Sequence, residues 1–264
     1  MDSQTKSKHV MSSEISPYRL ARSRLLDDDN FNYSREILNG ITHAMCNMLM
    51  PLCEYPAFIL PNLPQDSPSK DMVEDIKIAA ERINKVNRNL MRLCHGDDGS
   101  ITEIDLVGMS RQILEEVSSI YNYSDKIKVD IKPEVDSAIV RGSYDALYHA
   151  IRHVFVNACE AMQDGGLLTI RISSAAIPDN SELHRLGVQP RNYLRIQIRD
   201  TGNGVDPSCR ETLFNPFVST RHGEGAGLGL SLTYRTVSHM NGYILYNPNC
   251  DPGAEFILLF PDDA

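Results

Sequence analysis

From about Phe31 apolar residues return at helical spacing, with Ile37, Leu38, Ile41, Met45, Met48, Leu49 and Leu52 on one broad face. Five of the 14 prolines (Pro51, Pro56, Pro61, Pro64, Pro68) follow closely and are expected to bend and end this helix. A second helical pattern runs from about Lys70 to Leu93. Its apolar residues Met72, Ile76, Ala79, Ile83, Val86, Leu90 and Leu93 are spaced alternately by four and three, which is a heptad seam. Two helices joined by a short proline-rich loop make an antiparallel hairpin. A lone hairpin leaves its seam uncovered, so two copies are expected to form a four-helix bundle. The alternative is packing of the hairpin on the rest of its own chain.

Beyond residue 95 the periodicity changes. Cys94–Thr102 (CHGDDGSIT) reads as a linker, followed by a helix at about Asp105–Tyr121 and short strands near Lys126–Ile131 and Ala138–Arg141. A helix from Ser143 to Met162 is stopped by Asp164-Gly165-Gly166. Leu168, Ile170 and Ile172 then alternate with polar residues, as do Leu194, Ile196 and Ile198, which is the mark of half-buried strands. A helix at about Leu228–Met240 and strands at Gly242–Tyr246 and Ala254–Phe260 close the chain. The expected fold class is α+β: a helical hairpin forming a dimeric four-helix bundle, then an α/β sandwich with one sheet face under helices and the other more open. The boundaries are 1–28 for a flexible lead-in, 29–95 for the hairpin, 96–103 for the linker and 104–264 for the sandwich. Ala175–Arg191 reads as a surface insertion without an assigned role.

Composition narrows the function classes. With 42% hydrophobic residues the chain is not disordered at large. A net charge of −9 argues against a protein that binds nucleic acid by covering its phosphates. No run of about 18 apolar residues is present to insert in a membrane, and Met1–Asn30 lacks an apolar signal-peptide core. That segment is also too short and polar for a sensor domain, so the expectation is a piece of a larger protein or a chain that takes its input from a partner. Six scattered cysteines (Cys46, Cys53, Cys94, Cys159, Cys209, Cys250) without a C-x-x-C pair fit a reduced, cytoplasmic chain.

Four segments of the second domain carry candidate chemistry. In HVFVNACEAM, His153 and Asn157 lie four apart on one helix face. DTGNG, from Asp200 to Gly204, ends an alternating strand. There a carboxylate followed by Gly202 and Gly204 lets the backbone approach a flat ligand whose exocyclic amine Asp200 would bind. LFNPF spans Leu213–Phe217, and its two phenylalanines have either a core-packing role or one in ordering the loop that follows. GEGAGLGL, Gly223–Leu230, opens a helix whose free N–H groups and dipole suit phosphate. An asparagine oxygen such as that of Asn157 is a hard ligand suited to Mg²⁺, which keeps waters and nucleotide oxygens around it.

In this order and spacing the four segments resemble the N, G1, F and G2 boxes of the Bergerat-type ATP-binding domain of two-component sensor histidine kinases. That family lies within the gyrase, heat-shock-90, kinase and mismatch-repair ATPase group. The resemblance spans about residues 104–261. It implies ATP and Mg²⁺ as cofactors, adenine recognition by Asp200 and Mg²⁺ ligation by Asn157. It also implies phosphate contacts around Gly225, Gly227, Leu228 and Gly229, with Arg221 standing where the family often has lysine. His153 departs from the asparagine of many sensor kinases but is similar to the His-x-x-x-Asn of chemotaxis-type kinases. No carboxylate there is ready to activate water, which counts against a gyrase-like ATPase.

In the first domain ILNGITHAMCNMLMPL resembles the dimerisation and phosphoacceptor helix of the same kinases. His43 would be the phosphorylated residue, exposed because it lies opposite the apolar face. Asn47, one turn on, would help to hold a water for dephosphorylating a partner. Ala44 stands where the family usually has an acid to accept the imidazole proton, so autophosphorylation is expected to be slow. The implied activity is a cytoplasmic homodimeric histidine kinase core that passes its phosphoryl group to an aspartate of a response-regulator receiver domain. Two rivals remain: a docking, phosphotransfer or phosphatase protein on the same scaffold with little autokinase activity, and an ATP-gated clamp of the wider group.

Overall fold

A computed structural model describes residues 18–23, 30–64, 66–95, 99–121, 126–219 and 226–262. Two compact units result: one is the hairpin, and the other gathers residues 18–23 with everything from residue 97 onwards. Strand β1 is Arg19–Leu20. The hairpin is α1 (Asn30–Ile59), a 3₁₀ turn (Leu60–Asn62) and α2 (Pro68–His95). α1 continues through Pro51 and Pro56 and ends at Ile59, two residues before Pro61. Each internal proline removes an N–H, freeing the carbonyls of Asn47 and Leu52. Both residues are exposed, where water can replace the lost donor.

The hairpin packs along a seam of small and polar side chains. Thr42, Leu49 and Pro56 on α1 and Ala80, Asn87, Leu93 and Cys94 on α2 are buried. Fully buried Asn87 donates through Nδ2 to the carbonyl of Thr42 at 2.9 Å, which ties α2 to the residue before His43. Of the apolar faces read from the sequence, Leu49 and Leu93 are buried and Leu38, Met45, Val86 and Leu90 half-buried, whereas Ile41, Met48 and Leu52 on α1 and Met72, Ile76 and Ile83 on α2 are exposed.

The second unit contains β2 (Ile101–Asp105), α3 (Leu106–Tyr121), β3 (Ile127–Pro133), β4 (Ile139–Ser143) and α4 (Tyr144–Glu160). It continues with β5 (Gly166–Ala176), α5 (Glu182–Arg185), β6 (Asn192–Arg199), α6 (Gly229–His239), β7 (Tyr243–Asn247) and β8 (Glu255–Pro261). Helix starts follow local chemistry. Asp105 accepts the N–H groups of Val107 and Gly108 at the head of α3, and the Ser143 hydroxyl accepts that of Ala146 at the head of α4.

Six strands form a sheet in the order β1-β7-β8-β6-β5-β3, antiparallel except for β3 with β5, and β2 pairs with β4 in a small second sheet. Leu147, Ile151 and Phe155 of α4 pack on Leu168, Ile170, Ile196 and Leu258 in the main core.

Three expectations need correction here. The supposed lead-in is not flexible over 18–23: Arg19 and Leu20 pair with Tyr246 and Leu245, and Ala21 donates to Ile244. The 96–103 linker ends early, because Ile101 already pairs with Ser143. The second sheet face is not open either. Ala175, Ile177, Leu183 and Val188 of the 175–191 insertion form a smaller core with Tyr193, Leu245, Ile257 and Leu259. The continuous apolar run of β8 (Phe256–Phe260) was the signal for burial on both faces. Leu183→Ala is therefore expected to cost about 2–5 kcal/mol in urea unfolding; a loose surface insertion would register only about 0.5 kcal/mol.

Candidate nucleotide site

Strand β6 ends at Arg199, and the chain turns sharply at Asp200, whose side chain is only 3% exposed. Its Oδ1 accepts N–H groups from Gly202 at 2.9 Å and from Ala254, just before β8, at 3.1 Å. No neighbouring residue's hydrogen bond to Oδ2 is found among the described residues, so one oxygen is anchored and the other is left for a ligand. Burial pushes the carboxyl above its ordinary range, and the bonds from Gly202 and Ala254 pull it back towards the charged form.

The turn lies hard against the end of α4. Asn203 donates to the carbonyl of Ala161 at 3.2 Å, and a Cβ on Gly202 would sit 2.4 Å from that same oxygen. Only glycine fits. Gly204 follows in the same loop with φ +71°.

Helix α4 also meets the start of α6. The Thr233 hydroxyl of α6 donates to the carbonyl of Ala150 at 3.0 Å, and the Cα of Gly229 faces the His153 ring, 3.4 Å from where a Cβ would be. Leu228 gives α6 no side-chain cap, so its first N–H groups remain available to an anion. Gly227 takes φ +64° and accepts the N–H of Phe217 at 2.9 Å, which joins the LFNPF segment to the head of α6. Phe214 is core, packed between Tyr234 and Tyr246, whereas Phe217 is exposed and itself has φ 67°.

One end of the sandwich thus brings together His153 and Asn157 on α4, the Asp200–Gly204 turn, and Gly227, Leu228 and Gly229. Arg221 and Gly225 lie outside the described residues. His43 and Asn47 stand exposed on α1 in the other unit. Ala254 was not anticipated. Pro252-Gly253 signals a turn, but nothing in a linear sequence says which carboxylate the next N–H will meet. Cys159, beside the site, has its thiol pushed up to about 11 by burial and is unreactive packing.

Residues 142–264 match the family described as histidine kinase-, DNA gyrase B-, and HSP90-like ATPase. Sensor kinase CckA of Brucella abortus is 22% identical over 96% of this chain and 27% of its own length. Sensory histidine kinase/phosphatase NtrB of Vibrio alginolyticus is 27% identical over 79% of this chain and 57% of its own. Over most of its length the chain is thus similar to two-component sensor histidine kinases. It spans well under two thirds of the length of these relatives. In fold, the chain is similar to full-length ShkA solved with AMPPNP, with TM-score 0.66 and 22% identity over 86% of this chain and 45% of that one. No described helix is long and apolar enough to cross a membrane.

The site fits an adenine nucleotide at both ends: a buried carboxylate with a spare oxygen at one, an uncapped helix start at the other. Asn157, half-buried on α4, can contribute one oxygen to Mg²⁺. The raised position of Asp200 has a consequence for stability. A carboxyl whose folded pKa lies above its unfolded value opposes folding when ionised, and that penalty fades as pH falls through the folded pKa. Asp200→Asn should therefore leave the nucleotide-free melting temperature equal or higher at pH 7. Calorimetry should show any gain shrinking as pH is lowered towards 4, while nucleotide binding is lost at both pH values.

Proposed function

We propose that this chain is a histidine kinase core that binds Mg-ATP in the second unit, phosphorylates His43 and passes the phosphoryl group to an aspartate of a response-regulator receiver domain. The observation that carries this reading is the anchored Asp200 carboxylate facing the same site as the uncapped α6 start, in a chain whose other unit presents an exposed histidine. An imidazole nitrogen of His43 attacks the γ-phosphorus, an N–P bond forms, the bond to the ADP oxygen breaks, and the imidazole proton leaves to solvent. Asp200 selects adenine through its amine, and the backbone at Gly227–Gly229 holds phosphate oxygens. Arg221 and Gly225, placed in the same loop by the sequence, would add to that hold. Mg²⁺ at Asn157 would neutralise charge on the phosphates; positioning and such neutralisation supply most of the catalysis in transfers of this kind.

Ala44 favours a second reading. Without a carboxylate next to His43 the autokinase step lacks a base, and net flux leans towards taking phosphoryl groups from a regulator or removing them with the help of Asn47. In an assay with γ-labelled ATP, His43→Gln should abolish labelling. Ala44→Glu should speed it by at least roughly tenfold, a cautious part of the general-base range, without changing ATP affinity. A parent as fast as Ala44→Glu would overturn the role given to position 44.

The homodimer is part of the same reading. Exposed Ile41, Met48, Ile76 and Ile83 form an apolar surface of the kind that monomers rarely leave open, and a second hairpin would cover it. Ile83 is 45% exposed in the single chain, so Ile83→Ala should cost little in a monomer but about 2–5 kcal/mol if a partner buries it. Sedimentation of parent and variant across micromolar concentrations measures the difference, and a parent that stays monomeric there would refute the bundle.

A further inference from the structure

Residues 18–23 form a strap along the edge of the sheet; Arg22 donates to the Leu186 carbonyl at 3.4 Å, while the polar anchors at the two ends of the strap land beside parts of the nucleotide site. At one end the Tyr18 hydroxyl donates to Glu255 Oε2 at 2.5 Å. Glu255 follows directly on Ala254, whose N–H holds Asp200. In the middle, Arg19 pairs with Tyr246, whose ring packs edge-on against Phe214, and the N–H of Ala21 donates to Ile244 at 2.8 Å. At the other end Ser23 is fully buried, and its hydroxyl donates to Asn215 Oδ1 at 3.2 Å. Asn215 lies in LFNPF, two residues before Phe217, which closes onto Gly227.

Tyr18 and Leu20 of the strap pack on the smaller core. A cavity of about 340 Å³ is lined by Leu20–Arg22, Gly187, Gln189 and the end of α6.

The buried Ser23 hydroxyl holds the side chain of Asn215 in its turn. Asn215 belongs to the short stretch whose far end must meet Gly227 for the head of α6 to present its N–H groups. We infer that the strap positions the nucleotide site, with Ser23 a positioning residue that holds Asn215 and, through it, the Phe217–Gly227 junction. The inference rests on the reading of that site as an ATP site.

The test uses the full chain and a non-hydrolysable ATP analogue with Mg²⁺, titrated calorimetrically. Ser23→Ala should weaken binding by about three- to tenfold, the worth of one such hydrogen bond, while the nucleotide-free protein stays folded with a melting temperature lowered by no more than about 4 °C. Ala21→Pro, which removes the N–H bonded to Ile244, should weaken it at least as much; if it does not fold, Ser23→Ala alone decides. Asn215→Ala combined with Ser23→Ala should bind no worse than the weaker single variant, because the two act as one unit. Parent-like affinity in Ser23→Ala, or additive losses in the double variant, would overturn the role of the strap. A parent that does not bind the analogue at all overturns the ATP reading and the inference with it, and is thereby told apart from failure of the strap alone.

Discussion

The buried carboxylate of Asp200 is the constraint on which the second unit is arranged. A charge there is costly unless hydrogen bonds compensate for lost water, and they come from two directions: Gly202 in its own turn and Ala254 at the start of β8. Meeting both donors at once requires β6 and β8 to be neighbours with their ends level, which the pairing of Arg199 with Glu255 provides. It also forces the turn against α4, where Gly202 leaves no room for a side chain beside the Ala161 carbonyl. The position of α4, and with it His153 and Asn157, follows from that close approach. The other core residues make the sheet stable; this junction makes it a site.

The hairpin obeys a different rule. Its inner seam mixes Leu49, Pro56 and Leu93 with small or polar side chains such as Thr42, Ala80 and Asn87, and Cys46 and Cys53 are half-buried. Most of its hydrophobic material faces outwards. A helix pair of this composition gains little from closing on itself, since stability scales with apolar area removed from water. The buried Asn87 amide contributes alignment more than energy: its bond to the Thr42 carbonyl sets one helix against the other next to the histidine.

Two segments without obvious chemistry, the strap and the 175–191 insertion, complete the sandwich from outside the main motifs. Leu183 and Val188 of the insertion cover Leu245, Ile257 and Leu259 on the second sheet face, and Tyr18 and Leu20 of the strap pack against the same cluster. The strap also adds a strand to β7, which would otherwise present an open edge. A nucleotide site at a sheet end depends on both, because the strands that carry Asp200 and Ala254 are buried on both faces.

Local periodicity and turn chemistry determined a good part of this. The 3.6-residue pattern located both helices of the hairpin and α3, α4 and α6. The two-residue alternation located β5 and β6, and the glycines of DTGNG and GEGAGLGL marked the turns around a ligand. These are properties of neighbouring residues, and neighbours are what a sequence displays. Only the tertiary structure decided which N–H groups hold Asp200, because Ala254 is 54 positions away. It alone gave Tyr18–Ser23 a place, since a two-residue strand has too few positions to show a period and forms only where β7 offers an edge. It likewise divided the apolar faces of α1 and α2 into a part buried in the hairpin, with Leu49 and Leu93, and a part left exposed, with Ile41, Met48, Ile76 and Ile83. Periodicity reports that a face is hydrophobic, but which partner covers it depends on the closeness that small residues such as Ala80 and Thr42 permit on the opposite side.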